Sequence, residues 1–203
     1  MLSDIEIYLP KYLSADEQTQ LFEELRQFPE NIDGRMYSSI CDYGEELYQG
    51  DGLSNLPIVS LPLTNPETAN VMIISNTCDI SPDNERFYPA FALYCPLIRL
   101  TAYEELLHQT FPQSADRIQS HINSIRRQEC SPMFFLPKGA HLPEDFIALM
   151  DHIVHHKLQA LDLSTLIRGR LFTLSDYGYY LFLFKLSIHF TRMRDGVIRG
   201  YSN

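Results

Sequence analysis

Apolar positions at Leu21, Phe22, Leu25 and Phe28 recur at helical spacing and predict a helix over residues 14–28. Ser14 and Glu17 stand at capping-box spacing at its start, and Pro29 stops it. A short alternating strand, residues 5–9, precedes it. Beyond Pro29 the period changes from helix to strand. Residues 37–41, 56–61, 71–75 and 87–98 read as strands with no helix between them. Gly50-Asp51-Gly52, Asn55, residues 62–66 and residues 81–86 carry turn chemistry. Short strands so spaced predict an antiparallel barrel or a curled sheet.

The second half alternates helix and hairpin. Residues 101–108 read as a helix, with Thr101 and Glu104 at capping-box spacing. Residues 114–128 read as another, with Ala115, Ile118, Ile122 and Ile125 on one face. Residues 132–137 and 146–154 are two apolar runs across a Gly/Pro turn. The second is long enough for a helix with Pro143 at its first position, but the paired runs favour a strand. Ser175 caps a long final helix to about residue 193, ended by Asp195-Gly196. The class is α+β.

Composition allows a real core: of 203 residues, 45% are hydrophobic and 21% charged. That length suits a unit over 1–100 with an extension over 101–203 packed on it, or one continuous domain. The net charge of −10 is uneven. Residues 1–100 carry 16 acidic and 5 basic side chains, whereas residues 157–203 carry 3 and 7. The acidic front half disfavours broad nucleic-acid binding, while a local basic patch near the C-terminus stays open. Four scattered cysteines without a CxxC pair predict free thiols in a reducing cytoplasm. No signal peptide is read at the N-terminus. The longest apolar run, residues 177–190, contains Lys185 and falls short of the ~20 residues that span a bilayer. A soluble cytoplasmic protein without membrane contact is expected.

Candidate chemistry is sparse. Cys78-Asp79 follows an apolar strand, where folds present reactive groups, and is the candidate catalytic pair. A cysteine nucleophile needs a nearby base or cation, and the nearest histidine in sequence is His108. The competing reading is a buried Cys and an Asp that accepts backbone N–H bonds in the turn. His152 and His156 would be i, i+4 neighbours on a helix, a spacing zinc sites use, but the glutamate of HExxH is absent and a strand would separate them. Lys185, His189 and Arg192, with Arg194 and Arg199 beyond, form a basic stripe on the last helix that could contact phosphate or an acidic partner, joined by Arg168 and Arg170. The same cations would complement the helix dipole and simply face water. Glu45, Glu46 and Asp51 read as a solvated loop. No phosphate loop, nucleophile elbow or dinucleotide fingerprint is present, and neither metal nor cofactor is expected.

Three resemblances bear on the expectation. Residues 5–29, IEIYLPKYLSADEQTQLFEELRQFP, resemble the opening of AlkB-type iron/2-oxoglutarate dioxygenases, but no histidine here begins the HxD pair that holds their iron, so that activity is not expected. Residues 69–98, with VMIIS, the NTCDISPDNER turn and PAFALYCPL, resemble the central strands of the PemK/MazF plasmid-maintenance toxins. That resemblance implies a small SH3-like antiparallel β-barrel around residues 36–100, with the N-terminal helix packed on it. The arginine and Thr/Ser positions of those ribonucleases are replaced here by Thr68-Ala69-Asn70 and Cys95-Pro96-Leu97, so their catalytic residues do not carry over. QGD at 49–51, SNTCDI at 75–80 and the closing LSIHFTRMRDGVIR resemble prokaryotic proteins with a QTCDI-like motif, a group associated with mobile and defence gene neighbourhoods. The expectation is a non-catalytic interaction protein, an accessory or regulatory subunit of a bacterial stress, toxin–antitoxin or phage-defence module, whose partner is another protein encoded nearby. The alternatives are a hydrolase or MazF-like ribonuclease at Cys78/Asp79, and a nucleic-acid binder at the C-terminal basic stripe.

Overall fold

The computed structural model describes residues 32–39, 46–60, 65–81 and 83–191, with residues 16, 23, 27, 28 and 62 besides. The strand over 5–9, the helix over 14–28 except for Asp16 and Glu23, which are helical, and Gln27 and Phe28, which form a turn, and the end of the last helix beyond residue 191, including Arg192 and Arg194, lie outside the described residues.

The class is α+β, as the pattern predicts, and the strands form a seven-stranded antiparallel sheet. A short helix α1 (Ile32–Arg35) precedes β1 (Gly52–Ile58) and β2 (Glu67–Ile73). A single helical turn α2 (Thr77–Ile80) then leads to β3 (Phe91–Arg99). Helices α3 (Leu100–Thr110) and α4 (Ala115–Arg126) follow, then strands β4 (Met133–Leu136), β5 (Phe146–Leu149) and β6 (Val154–Lys157). The chain continues through α5 (Leu163–Arg168) and β7 (Arg170–Phe172) into α6 (Asp176–Thr191). The sheet order is β4-β5-β3-β2-β1-β7, with β6 also on β3. It therefore draws strands from both halves of the chain.

The sheet is open: among the described residues no pairing joins β4 to β7. This corrects the closed SH3-like barrel expected around residues 36–100. The strands of residues 52–99 are neighbours as predicted, but the downstream strands add to both sides of them instead of leaving them to close on each other. At one edge β5 and β6 lie in tandem along β3, pairing Leu97–Arg99 and Phe91–Tyr94 respectively. The expected strand over 146–154 thus stops at Leu149, and after a turn β6 begins at its last residue, Val154, and runs on to Lys157. Cys95 and Pro96 fall opposite that interruption, where a proline's missing N–H costs no ladder bond on that edge.

Helices and loops cover both faces, so the sheet separates two apolar layers. On one face Met72, Ile74, Cys95 and Leu97 pack with Ile118, Ile122 and Ile125 of α4 and Tyr177, Leu181 and Phe182 of α6. On the other, Leu53, Leu56, Val71, Ile73, Ala92 and Tyr94 pack with Ile80 and Leu158, and with Leu163, Leu166 and Ile167 of α5. Leu53 and Leu56 share a face despite their odd spacing because β1 is bulged between them, with Asn55 at φ 61°. Asn55, expected in a turn between strands, instead turns the backbone inside one.

Two expected caps are corrected in detail. Thr101 does not open α3, which starts at Leu100 after Arg99; its hydroxyl donates to Glu144 at 2.6 Å. Ser175 does cap α6, accepting the Gly178 N–H at 3.0 Å.

Candidate functional site

The end of β2 is the most elaborately built polar region of the described residues. Asn76 caps α2, its Oδ1 accepting the Cys78 N–H at 2.9 Å, and Ile80 anchors the turn in the core. Asn84 donates to the Cys78 carbonyl at 2.7 Å. Ser75 Oγ accepts the Leu93 N–H at 2.8 Å, tying the turn to β3.

Residues 46–51 dock onto this turn. Gly50 donates to the Ile73 carbonyl and Ile73 donates to that of Asp51, both at 2.9 Å, so the loop continues the β1–β2 ladder. Gly50 holds φ 89°, and a Cβ there would lie 2.7 Å from Leu174 Cδ1, so both conformation and space call for glycine. Gln49 is the junction. Its N–H donates to Thr77 Oγ1 at 3.0 Å, its amide donates to the Ile74 carbonyl at 2.8 Å, and its Oε1 accepts the Tyr179 hydroxyl at 3.1 Å. The QGD and SNTCDI segments singled out in the sequence are therefore one structural unit, braced against α6.

Beneath the loop sits a buried ion pair. The carboxylate of Asp51, fully buried, lies 3.3 Å from the Nε of the equally enclosed Arg170 side chain and accepts the Tyr48 N–H at 2.9 Å. Arg170 donates to the Glu46 carbonyl and lies over the Tyr48 ring, 5.9 Å from its centroid. Burial pushes the Asp51 carboxyl up to about 6, against the opposing pull of Arg170, the Tyr48 N–H and the Thr173 hydroxyl. Among the described residues Asp51 Oδ1 and Arg170 Nη1 have no partner of ordinary hydrogen-bond geometry. The expectation that Asp51 belongs to a solvated loop is overturned, as is a surface role for Arg170. The sequence offered one signal, an Asp between two glycines, and it reads equally as turn chemistry.

The predicted site residues separate. Cys78 is an exposed free thiol, and among the described residues no hydrogen bond joins it to a base. Asp79 is exposed and committed to Arg86 at 2.6 Å. The pair is exposed just beyond β2, which corrects the competing reading of a buried Cys, and among the described residues it has no partner for nucleophilic catalysis. Lys185 corrects the expected solvent-facing stripe: it is buried, and its ammonium donates to the Gln128 carbonyl. His189 is half-buried one turn further on, and Arg192 and Arg194 lie outside the described residues. His155 and His156 point to opposite faces of β6, while His152 sits in the preceding turn, 3.8 Å from Asp151. Among the described residues no cluster of three His, Cys, Asp or Glu could hold a metal, and no helix is long and apolar enough to cross a membrane.

No protein-family model matches the chain, and comparison with curated proteins returns no match.

Proposed function

We propose that the chain is an interaction protein, a cytoplasmic accessory or regulatory subunit of a bacterial stress or defence module, and that the segment after α2 carries the contact. The observation that supports this is an exposed aromatic run beside the candidate site. Phe87 is fully exposed, Tyr88 is exposed, and Phe91 and Leu93 project from β3 into solvent. Across the ladder Leu93 faces His155 and Phe91 faces Lys157, and the Phe91 and His155 rings meet edge-on at 5.3 Å. Clustered exposed apolar side chains with aromatic anchors are the usual composition of an interface centre. The docked 46–51 loop braces the turn after β2, and Ser75 of that turn accepts the Leu93 N–H, so the run leaves from a strand end already held by hydrogen bonds, which lowers the ordering cost of binding.

Co-purification from the native host tests the reading. The wild-type chain is expected to elute with a stoichiometric protein partner. A Phe87→Ser/Tyr88→Ser variant is expected to lose that partner while its melting temperature stays the same, since both side chains are exposed. A chain that elutes alone, or a complex indifferent to the double substitution, overturns it.

A further inference from the structure

A second set of polar groups lies on the helical side of the sheet, drawn from α3, α4 and the segment that follows α4. Cys130 Sγ is 3.8 Å from His121 Nδ1. His121 Nε2 is in turn 3.0 Å from the Tyr103 hydroxyl. All three side chains are half-buried, so they are held by packing yet open to solvent. This is the order of a nucleophile, a base and a group that orients the base. The tautomer follows from the bonding. If Nε2 carries the proton and donates it to the Tyr103 oxygen, Nδ1 keeps its lone pair and accepts from the Cys130 thiol.

We propose that Cys130 is a base-assisted modification site that takes an acyl group from a thioester donor in a single stoichiometric step. The Cys130 sulfur attacks the donor carbonyl while its proton passes to His121 Nδ1. A new S–C bond forms, the donor's C–S bond breaks, and the proton on His121 leaves with the departing thiolate as a thiol. No oxidant or second reactant is needed.

The surroundings suit a thiol that is protonated at rest and deprotonated only during attack. Burial raises the Cys130 thiol above its ordinary range, Glu129 reinforces this, and the Lys185 ammonium opposes it. Burial likewise keeps the Tyr103 hydroxyl protonated, with Cys130 contributing. The chain also holds its own controls. Cys78 is exposed and, among the described residues, has no base beside it, and Cys95 is buried, its thiol pushed up to about 12. A simple accessibility effect would favour Cys78.

The experiment treats the full chain with S-phenyl thioacetate at pH 7.5 and follows acetylation of each cysteine by peptide mass spectrometry. Cys130 is expected to acetylate at least about ten-fold faster than Cys78, in keeping with the usual yield of a positioned general base. His121→Ala should remove that advantage, leave the Cys78 rate unchanged, and be rescued by added imidazole. Tyr103→Phe should slow Cys130 several-fold and shift the pH midpoint of its rate, as a positioning residue would. Equal rates at Cys78 and Cys130 in the wild-type chain overturn the proposal. So does an unchanged Cys130 rate in a His121→Ala variant that keeps Cys95 protected, and so does failure of imidazole to rescue that variant. Should His121→Ala unfold and expose Cys95, the wild-type ratio alone decides, and His121→Gln repeats the comparison.

Discussion

The Asp51 carboxylate and the Arg170 guanidinium are mutually dependent because neither can reach water. Breaking such a pair by removing one partner is far more costly than never having made it. Arg170→Met therefore strands a buried carboxylate and is expected to cost about 3 kcal/mol at pH 8, read by urea unfolding. The sign of the pH effect follows from the raised Asp51 value. A carboxyl whose folded pKa, about 6, exceeds its ordinary 3.8 favours the fold most fully below pH 4 and withdraws that stability as pH rises through 6. The Arg170→Met deficit should accordingly shrink at pH 4.5, where Asp51 is protonated, and adding Asp51→Asn should recover most of the loss at pH 8. In the wild-type background, Asp51→Asn should gain on the parent by up to about 3 kcal/mol between pH 4 and pH 7, the conversion of that shift. A pH-independent Arg170→Met deficit would show that the carboxyl does not titrate in this range. The pair was invisible in the sequence for a physical reason. Its members come from opposite halves of the chain, and only the antiparallel β1–β7 contact brings them together. Cys78-Asp79 was legible because an apolar run that stops at a polar pair announces a strand end whatever the fold around it.

At the level of elements, what was legible is what local periodicity encodes. The stripe of Ile118, Ile122 and Ile125 is buried as its spacing requires, although Ala115 at its start is exposed. Ile125→Ala is expected to cost about 2–4 kcal/mol, whereas Arg117→Ala on the exposed side of α4 should stay within about 0.5 kcal/mol; equal effects would mean that α4 is not docked. Periodicity failed where the backbone changes phase, as at the Asn55 bulge and at the break between β5 and β6. It also failed on α6, whose apolar side chains wrap most of the helix, so the burial of Lys185 could not be read from spacing. That burial carries a cost. The ammonium is held down to about 8 by desolvation, with Cys130 and Glu129 pulling the other way. A lysine with a lowered folded pKa destabilises the fold at pH 7, and stability returns as pH rises from 8 towards 10.5. Lys185→Met is therefore expected to stabilise the protein by roughly 2 kcal/mol at pH 7, after subtracting about 1 kcal/mol for the lost bond to Gln128. By pH 10 that advantage should have largely disappeared from the urea midpoints, and a destabilised variant at pH 7 would show that the Gln128 bond outweighs desolvation.

For the whole molecule, charge and shape point the same way. Part of the acidic excess of residues 1–100 lies beside the exposed aromatic run: Asp83 and Glu85 are exposed just ahead of Phe87 and Tyr88, while Asp79 is paired with Arg86. A partner that receives those rings in an apolar pocket would meet the Asp83 and Glu85 carboxylates beside them, so its complementary surface should carry basic groups at that rim. Fields of this kind act mainly on encounter, and screened rim charges add little to the bound state. With the co-purified partner immobilised, the association rate is expected to fall at least about five-fold between 50 and 500 mM salt, because the Debye length shortens well below the reach of the rim. The dissociation rate should change little over that range. Asp83→Lys/Glu85→Lys should slow association at low salt and leave dissociation unaltered, whereas Phe87→Ser should do the reverse by removing a buried anchor. An association rate indifferent to both salt and charge reversal would place the contact away from this end of the sheet.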